Sequence, residues 1–365
     1  MDLQSVNSKT NVLYIVESFS TGVYAILRDI AVSLDPQQFH IHIIHSLRSD
    51  SPKDFQEDLN YDHISLEYVP MDSAGNYLRA VKQIRRTIRK FQPDAVHLHS
   101  SKAGFLGRIA AKREGHTHVF YSPHGLSFLR LDVGRIKRSI FFLLERFISW
   151  YAGGTVIAVS QGELKEAKRI TDNAVLINNF IEIPEEISNK ESETPLVATS
   201  GRISPQKNPD LFTSIARTMP EVQFLWIGDG PQRDRLTAEN ISVTGYLSRS
   251  QVLSLLKGSW VYLQTSKWEG MPVSVLEAMA LGKPVTASRI IGNCDLIEHG
   301  KTGFLYTLDD IHGFKDKIRE LLQNRQLRES IGKAARAHAE QHHDVKKAVE
   351  AYADMYRSIE QPQGL

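Results

Sequence analysis

Two short stretches carry residue types that suit one kind of ligand. Glu269 and Glu277 lie in Ser266-Lys-Trp-Glu-Gly-Met-Pro-Val-Ser-Val-Leu-Glu-Ala-Met-Ala280, and Arg202 and Lys207 lie in Gly201-Arg-Ile-Ser-Pro-Gln-Lys-Asn208. A carboxylate accepts hydrogen bonds and suits sugar hydroxyls. A guanidinium can grip a phosphate through two parallel hydrogen bonds, while an ammonium meets it as a point charge. Together they fit a molecule that is part sugar and part diphosphate. The cations would steady the charge that a departing diphosphate gains as its glycosidic bond breaks.

Such groups need elements to hold them. Trp260-Val-Tyr-Leu263 reads as a buried strand and Val275–Leu281 as a helix-forming series. Gly270 permits a tight turn between them, and Pro272 suits a first helical position. The amides from Gly270 through Met271 and Val273 then sit at the positive end of a helix dipole, where an anion binds. Ser274-Val-Leu-Glu277 equally fits a capping box, in which Glu277 only satisfies a backbone N–H. In the first half, Ser18–Gly22 joins the apolar run Asn11–Val16 to helical spacing over Val23–Leu34, and Gly22 would let backbone approach a ligand. Strand Asp94–His99 delivers Ser100-Ser-Lys102, and Lys102 reads as an acceptor-phosphate contact or as plain surface. Strand His118–Ser122 delivers Pro123-His-Gly125, which fixes His124 at a strand end. Ile241–Tyr246 leads into a turn at Tyr246. His40-Ile-His-Ile-Ile-His45 alternates with three histidines read onto one face. With no carboxylate or cysteine nearby to complete a metal site, it reads as a histidine-lined sheet surface.

The run E-G-M-P-V-S-V-L-E from Glu269 to Glu277 resembles the E-x7-E signature of retaining glycosyltransferases of the GT-B fold, family 4 type. The G-R-x-x-x-x-K segment upstream matches the motif that accompanies it. The resemblance implies that Glu277 holds the ribose hydroxyls of a nucleotide and Glu269 contacts the transferred sugar. The turn and helix start at Gly270, Met271, Pro272 and Val273 would bind the diphosphate with Arg202 and Lys207. The Pro-His-Gly segment is similar to the family element whose histidine, here His124, lies beside the donor sugar. The turn at Tyr246 would pair its backbone with the nucleobase. Gly22 stands where relatives often carry Gly-Gly. Asn178-Asn-Phe-Ile-Glu182 resembles an interdomain N-G-[IV]-[DE] turn, with Asn179 able to take the left-handed conformation of the glycine it replaces. The implied catalytic set is His124, Glu269, Arg202 and Lys207.

The resemblance implies transfer, with retention, from a nucleotide-sugar, UDP-linked, to a saccharide or lipid-linked acceptor. It is similar in this to bacterial polysaccharide, O-antigen and lipopolysaccharide enzymes. A GT-B phosphorylase-type enzyme and a non-catalytic nucleotide-binding module are the competing readings. The sequence contains no Asp-x-Asp pair. Hard divalent ions need clustered carboxylates, so no metal site is expected, and the nucleotide-sugar is a co-substrate rather than a cofactor.

The strand–helix alternation occurs twice. It predicts an α/β protein of two doubly wound Rossmann-like domains facing a central cleft. The expected divisions are an acceptor-binding domain over 1–185, a polar linker over 186–195, a nucleotide-sugar domain over 196–343 and a last helix over 344–365 crossing back. A chain of 365 residues is too long for one ordinary core. Its 41% hydrophobic and 24% charged content is that of a soluble globular protein. The single Cys294 leaves no intrachain disulfide, and the first ten residues hold no signal-peptide core, so the cytoplasm is expected. Positive charge is concentrated: residues 79–146 hold 15 Lys/Arg and 4 Asp/Glu. Within them Gly134–Tyr151 reads as a core helix or as a basic, aromatic surface toward anionic lipid at the inner face of a membrane. Nucleic acid is not an expected partner, because no recognition module accompanies the basic residues.

Overall fold

The computed structural model describes residues 9–19, 21–48, 50–185 and 191–358. The first lobe runs β1 (Thr10–Val16), α1 (Thr21–Ser33), β2 (Phe39–His45), α2 (Phe55–Asp58), β3 (Ile64–Tyr68), α3 (Tyr77–Phe91), β4 (Ala95–His99) and α4 (Ser101–Arg113). It continues with β5 (Val119–Ser122), α5 (Arg135–Ala152), β6 (Thr155–Ala158), α6 (Gln161–Ala167) and β7 (Ala174–Leu176). The second lobe runs β8 (Leu196–Ser200), α7 (Pro209–Arg217), β9 (Gln223–Ile227), β10 (Ile241–Val243), α8 (Arg249–Gly258), β11 (Val261–Gln264), α9 (Val273–Ala280), β12 (Val285–Ser288), α10 (Asn293–Leu296) and β13 (Phe304–Tyr306). Three helices close the chain: α11 (Ile311–Gln323), α12 (Arg325–His342) and α13 (Val345–Arg357).

Each lobe holds one parallel sheet, ordered β3-β2-β1-β4-β5-β6-β7 and β10-β9-β8-β11-β12-β13. Helices cover both faces, so a central strand such as β4 is buried along its whole length, its two histidines included. The strand order reverses between β1 and β4 in one sheet and between β8 and β11 in the other. Ligands of doubly wound sheets gather beyond the carboxyl ends of the strands at such reversals. Gly201–Asn208 leaves β8 and Ser266–Pro272 leaves β11, so both motif stretches fall at one reversal.

Helix α13 crosses back as expected. Tyr352 and Tyr356 are buried in the core built on β1, β2 and α1. The Tyr356 hydroxyl lies 2.6 Å from His97 Nδ1 and 3.2 Å from the Tyr14 hydroxyl. The two crossings between lobes run side by side: the Ile181 amide donates to the His343 carbonyl at 2.8 Å, and the Val345 amide to the Ile181 carbonyl at 3.1 Å. Residues 186–190 of the expected linker lie outside the described residues. Of its remainder, Glu191 pairs with Arg328 at 2.8 Å. No helix among the described residues is long and apolar enough to cross a membrane.

Several local expectations need correction. Gly22 lies in the first turn of α1 rather than in a loop before it, and it does not take a positive φ. Pro272 caps α9 in extended conformation instead of occupying its first turn. Asn179 is not left-handed; that region is taken by Gln92, Ser100, His124 and Asn208 among described non-glycine residues. Its side-chain amide instead donates to the Met271 carbonyl at 2.8 Å, a bond between lobes that glycine has no atoms to make. The three histidines of β2 divide by the strand's two-residue period. His40 and His42 share one face, while His45 is buried against Phe19 on the other. A carboxylate does stand near them, since His42 Nε2 is 3.1 Å from Glu67. Among the described residues no three His, Cys, Asp or Glu side chains group as a metal site. Part of the basic excess is neutralised within the lobe: Arg108 is buried on Glu145 at 2.8 Å, and the half-exposed Lys102 is held by buried Glu17 at 3.0 Å.

Candidate active site

Glu269 is held by three side chains at the edge of the second sheet. One oxygen accepts from Lys207 Nζ and from the Ser266 hydroxyl, each at 2.8 Å, and the other accepts from the Gln206 amide at 3.0 Å. The turns leaving β8 and β11 therefore lock onto each other through one carboxylate. Burial opposes the charge of Lys207, but the neighbouring Glu269 carboxylate, with Tyr262 and Glu277, outweighs it and holds the ammonium above its ordinary pKa. Lys207 thus stays cationic between the two glutamates.

Glu277 lies one turn into α9 and is buried. The capping box is not formed, because the Ser274 hydroxyl has no partner. Glu277 faces Arg249 Nε at 3.6 Å instead, and Arg249 also holds Asp29 of the first lobe at 3.1 Å. Burial pushes the Glu277 carboxyl above its usual range despite the arginine. The first amides of α9 have no acceptor within the helix. Val273, in that first turn, faces Gly22 across the cleft: a Cβ at Gly22 would lie 3.6 Å from its side chain. Gly270 is needed for closeness rather than for its backbone angles, since a Cβ there would come within 3.0 Å of the Gly125 amide and 3.3 Å of Glu163.

The first lobe brings His124 to the same place. Its φ of 53° is a left-handed conformation that costs a histidine energy and is retained only where surroundings enforce it. Its Nε2 lies 3.0 Å from His99 Nδ1, and the two rings stack. Burial lowers the His124 pKa to about 4, so near pH 7 the ring is neutral. Glu163, buried at the start of α6, accepts from the Gly125 and Val159 amides at 2.8 and 2.9 Å and so anchors the loop.

Arg202 stands apart from this cluster. Its guanidinium lies 3.3 Å from Asp50 of the first lobe, and its Nε has no partner among the described residues. Tyr246 is largely exposed, and the partial desolvation of its hydroxyl, with the nearby Asp50 charge, raises the pKa of that group. The sequence-predicted residues accordingly fall into two groups along one cleft. Lys207, Glu269, Glu277 and Gly270–Val273 sit with Gly22 and His124, while Arg202 and Tyr246 sit with Asp50. Sequence reasoning missed Asp29, Asp50, Arg249 and Glu163. Only Glu163 had a readable signal, the Ser160-x-x-Glu capping pattern. The others are single charged residues, each of which finds a partner in the opposite lobe.

The family described as Glycosyltransferase Family 4 matches residues 21–183, and Glycosyl transferases group 1 matches residues 180–338. A sulfoquinovosyl transferase of Arabidopsis thaliana is 31% identical over 279 residues, 70% of this chain; the chain spans 55% of that relative's length. A UDP-Gal:alpha-D-GlcNAc-diphosphoundecaprenol alpha-1,3-galactosyltransferase of Escherichia coli is 27% identical over 309 residues, 76% of this chain and 79% of its own. The crystal structure of Anabaena HepE in complex with UDP and glucose superposes with a TM-score of 0.78 at 20% identity, covering 96% of this chain and 100% of that one. Sucrose-phosphate synthase of Thermosynechococcus elongatus gives 0.80 at 16% identity, covering 96% and 99%. With both lobes matched and the glutamate-bearing turn facing the histidine loop, the chain belongs to the family 4-type glycosyltransferases of the GT-B fold.

Proposed function

We propose that this enzyme is a retaining glycosyltransferase that uses a UDP-sugar without a metal ion. The acceptor is a saccharide or lipid-linked saccharide of cell-surface polysaccharide synthesis, met at the inner face of the membrane. The carrying observation is the state of Glu269. Both its oxygens are engaged by Lys207, Ser266 and Gln206. A carboxylate so occupied can orient a sugar hydroxyl, whereas a double-displacement mechanism needs a free nucleophile and a second carboxylate at close range.

In this reading Glu277 takes the ribose, and the first amides of α9 take the diphosphate with Lys207 and Arg202. The bond between the sugar's anomeric carbon and the diphosphate oxygen breaks. The acceptor oxygen bonds to that carbon on the same face, and its proton passes to the departing diphosphate. His124, neutral and held by His99, shapes the sugar pocket. Arg202 reaches the diphosphate only by leaving Asp50. A UDP donor is supported by the relatives, since the Escherichia coli enzyme is named for UDP-Gal and a diphosphoundecaprenol acceptor, and HepE was crystallised with UDP and glucose.

The test is to screen UDP-, GDP- and ADP-sugars for protection against heat unfolding, then supply the protecting donor with diphosphate-lipid saccharides. Release of UDP and an α-linked product from an α-linked donor are expected. An inverted product, or release of a sugar phosphate when inorganic phosphate is added, would overturn the reading.

A further inference from the structure

Helix α5 is apolar on two sides. Its inward side packs Phe141 and Phe142 on the first-lobe core, buries Ile148 and fixes Glu145 to Arg108 and to the Tyr121 hydroxyl. Its outward side carries Ile136, Ile140, Leu143, Leu144, Phe147 and Trp150, all exposed; Ile136 is 81% and Trp150 79% accessible. Spacings of three and four residues put these on one stripe of the helix. Tyr151 continues the stripe, stacked on Phe147. Exposed Lys137 lies at one edge of it, and exposed Arg135 and Arg146 at the other. Glu145, the only acid of α5, is on the buried side, so no acidic side chain of the helix faces outward.

We propose that this outward stripe is a docking surface for an anionic lipid bilayer, with α5 lying in the plane of the membrane. An apolar stripe bounded by cations is the pattern of interfacial helices, which sink about 5–10 Å into the headgroup region. The helix, 18 residues in all, is about 27 Å long. Charge argues for lipid over a second copy of the chain. Helix α4 packs between α3 and α5, and exposed Lys82, Arg86, Lys112 and Arg113 on α3 and α4 extend the positive field. A symmetric pair of copies would set these cations against each other, whereas an anionic surface attracts them all.

The docking also has a direction. Helix α5 starts beyond the carboxyl end of β5, shortly after the His124 loop, and runs away from the cleft. Its cationic end, with Arg135, Lys137 and Arg138, is therefore the end nearest the reacting groups. This deepens the membrane association proposed above by naming its element, and only the consequence for the acceptor rests on the transferase reading. A lipid-linked acceptor would then present its diphosphate at the mouth of the cleft.

The experiment is co-sedimentation of the full chain with vesicles of phosphatidylcholine alone or with roughly 30 mol % phosphatidylglycerol. Binding to the mixed vesicles only, weakened by salt, is expected. The variant Ile140→Ser/Leu143→Ser/Phe147→Ser should lose at least about tenfold in binding while its protection by UDP stays unchanged. Arg135→Glu/Lys137→Glu should remove the preference for anionic vesicles. Absence of wild-type binding, or binding untouched by both variants, would overturn the proposal. So would a dimer in solution that the triple variant breaks. Lost UDP protection with vesicle binding intact would sink the transferase reading alone.

Discussion

The two lobes are built alike and contribute unlike things to the cleft. The second lobe offers a preassembled polar cluster, in which Lys207, Gln206 and Ser266 are tied to Glu269 by bonds within one pair of adjacent turns. The first lobe offers residues held by their surroundings, such as His124 in a left-handed conformation over His99, and carboxylates that reach across the gap. Asp29 meets Arg249 and Asp50 meets Arg202, so these two arginines of the second lobe are each engaged by a first-lobe acid. A locally bonded cluster keeps its geometry if the lobes shift, whereas the cross-lobe pairs exist only while they are closed. In the proposed mechanism the difference gives the charge chemistry to one lobe and closure to the other.

The sharpest way to break this comparison is to set one lobe's residue against the other's. Lys207→Ala should lower kcat by about 10²–10³, as loss of one charge-stabilising donor does. His124→Asn keeps a residue that tolerates the left-handed backbone and should cost roughly tenfold, because a neutral positioning group is lost rather than a charge. Steady-state kinetics with the preferred UDP-sugar measure both, and a reversed order would mean that the first lobe carries the chemistry. Next in size, Arg249→Ala leaves Asp29 and Glu277 without their shared cation. Unfolding in urea should show a loss of about 2–3 kcal/mol, below the full value of a buried pair because Arg249 is partly exposed.

Protonation sharpens the same contrast. Burial lowers His124, His45 and His343 to about 4. Each folded-state pKa lies below the ordinary value of 6.5, so the unfolded chain binds more protons between the two values. The stability is fully present above pH 6.5 and is lost as pH falls toward 4, which melting curves at stepped pH would record. A smaller effect is expected from Asp50→Asn. It frees Arg202 from a partly exposed pair, worth about 0–1 kcal/mol, so UDP should bind up to about fivefold tighter by calorimetry. Weaker binding would mean that Asp50 positions Arg202 rather than restraining it. The smallest expected change is none: EDTA should leave transfer rates unaltered, and activity lost to EDTA and restored by magnesium or manganese would replace the cationic side chains with a metal.

Local signals carried much of this enzyme. The apolar runs and helical spacings gave two parallel α/β units because strand and helix periods are properties of neighbouring residues. The stretch from Ser266 to Ala280 read as strand, turn and helix for the same reason, and the return of α13 to the first lobe followed from the resemblance. What the sequence could not decide was whatever depended on residues far apart. Asn179 looked like a backbone substitute for glycine and became a side-chain bond to Met271. The Ser274-Val-Leu-Glu277 pattern looked like a cap, but Glu277 turned to Arg249. Arg202 and Lys207, side by side in one loop, separated onto partners in different lobes. Helix α5 looked apolar, but only the packed fold decided which of its two apolar faces the core would use and which it would leave to the outside. Spacing along a chain determines which side an element presents, while the partner on that side is chosen by the packing of the whole, where burial and charge must be satisfied together.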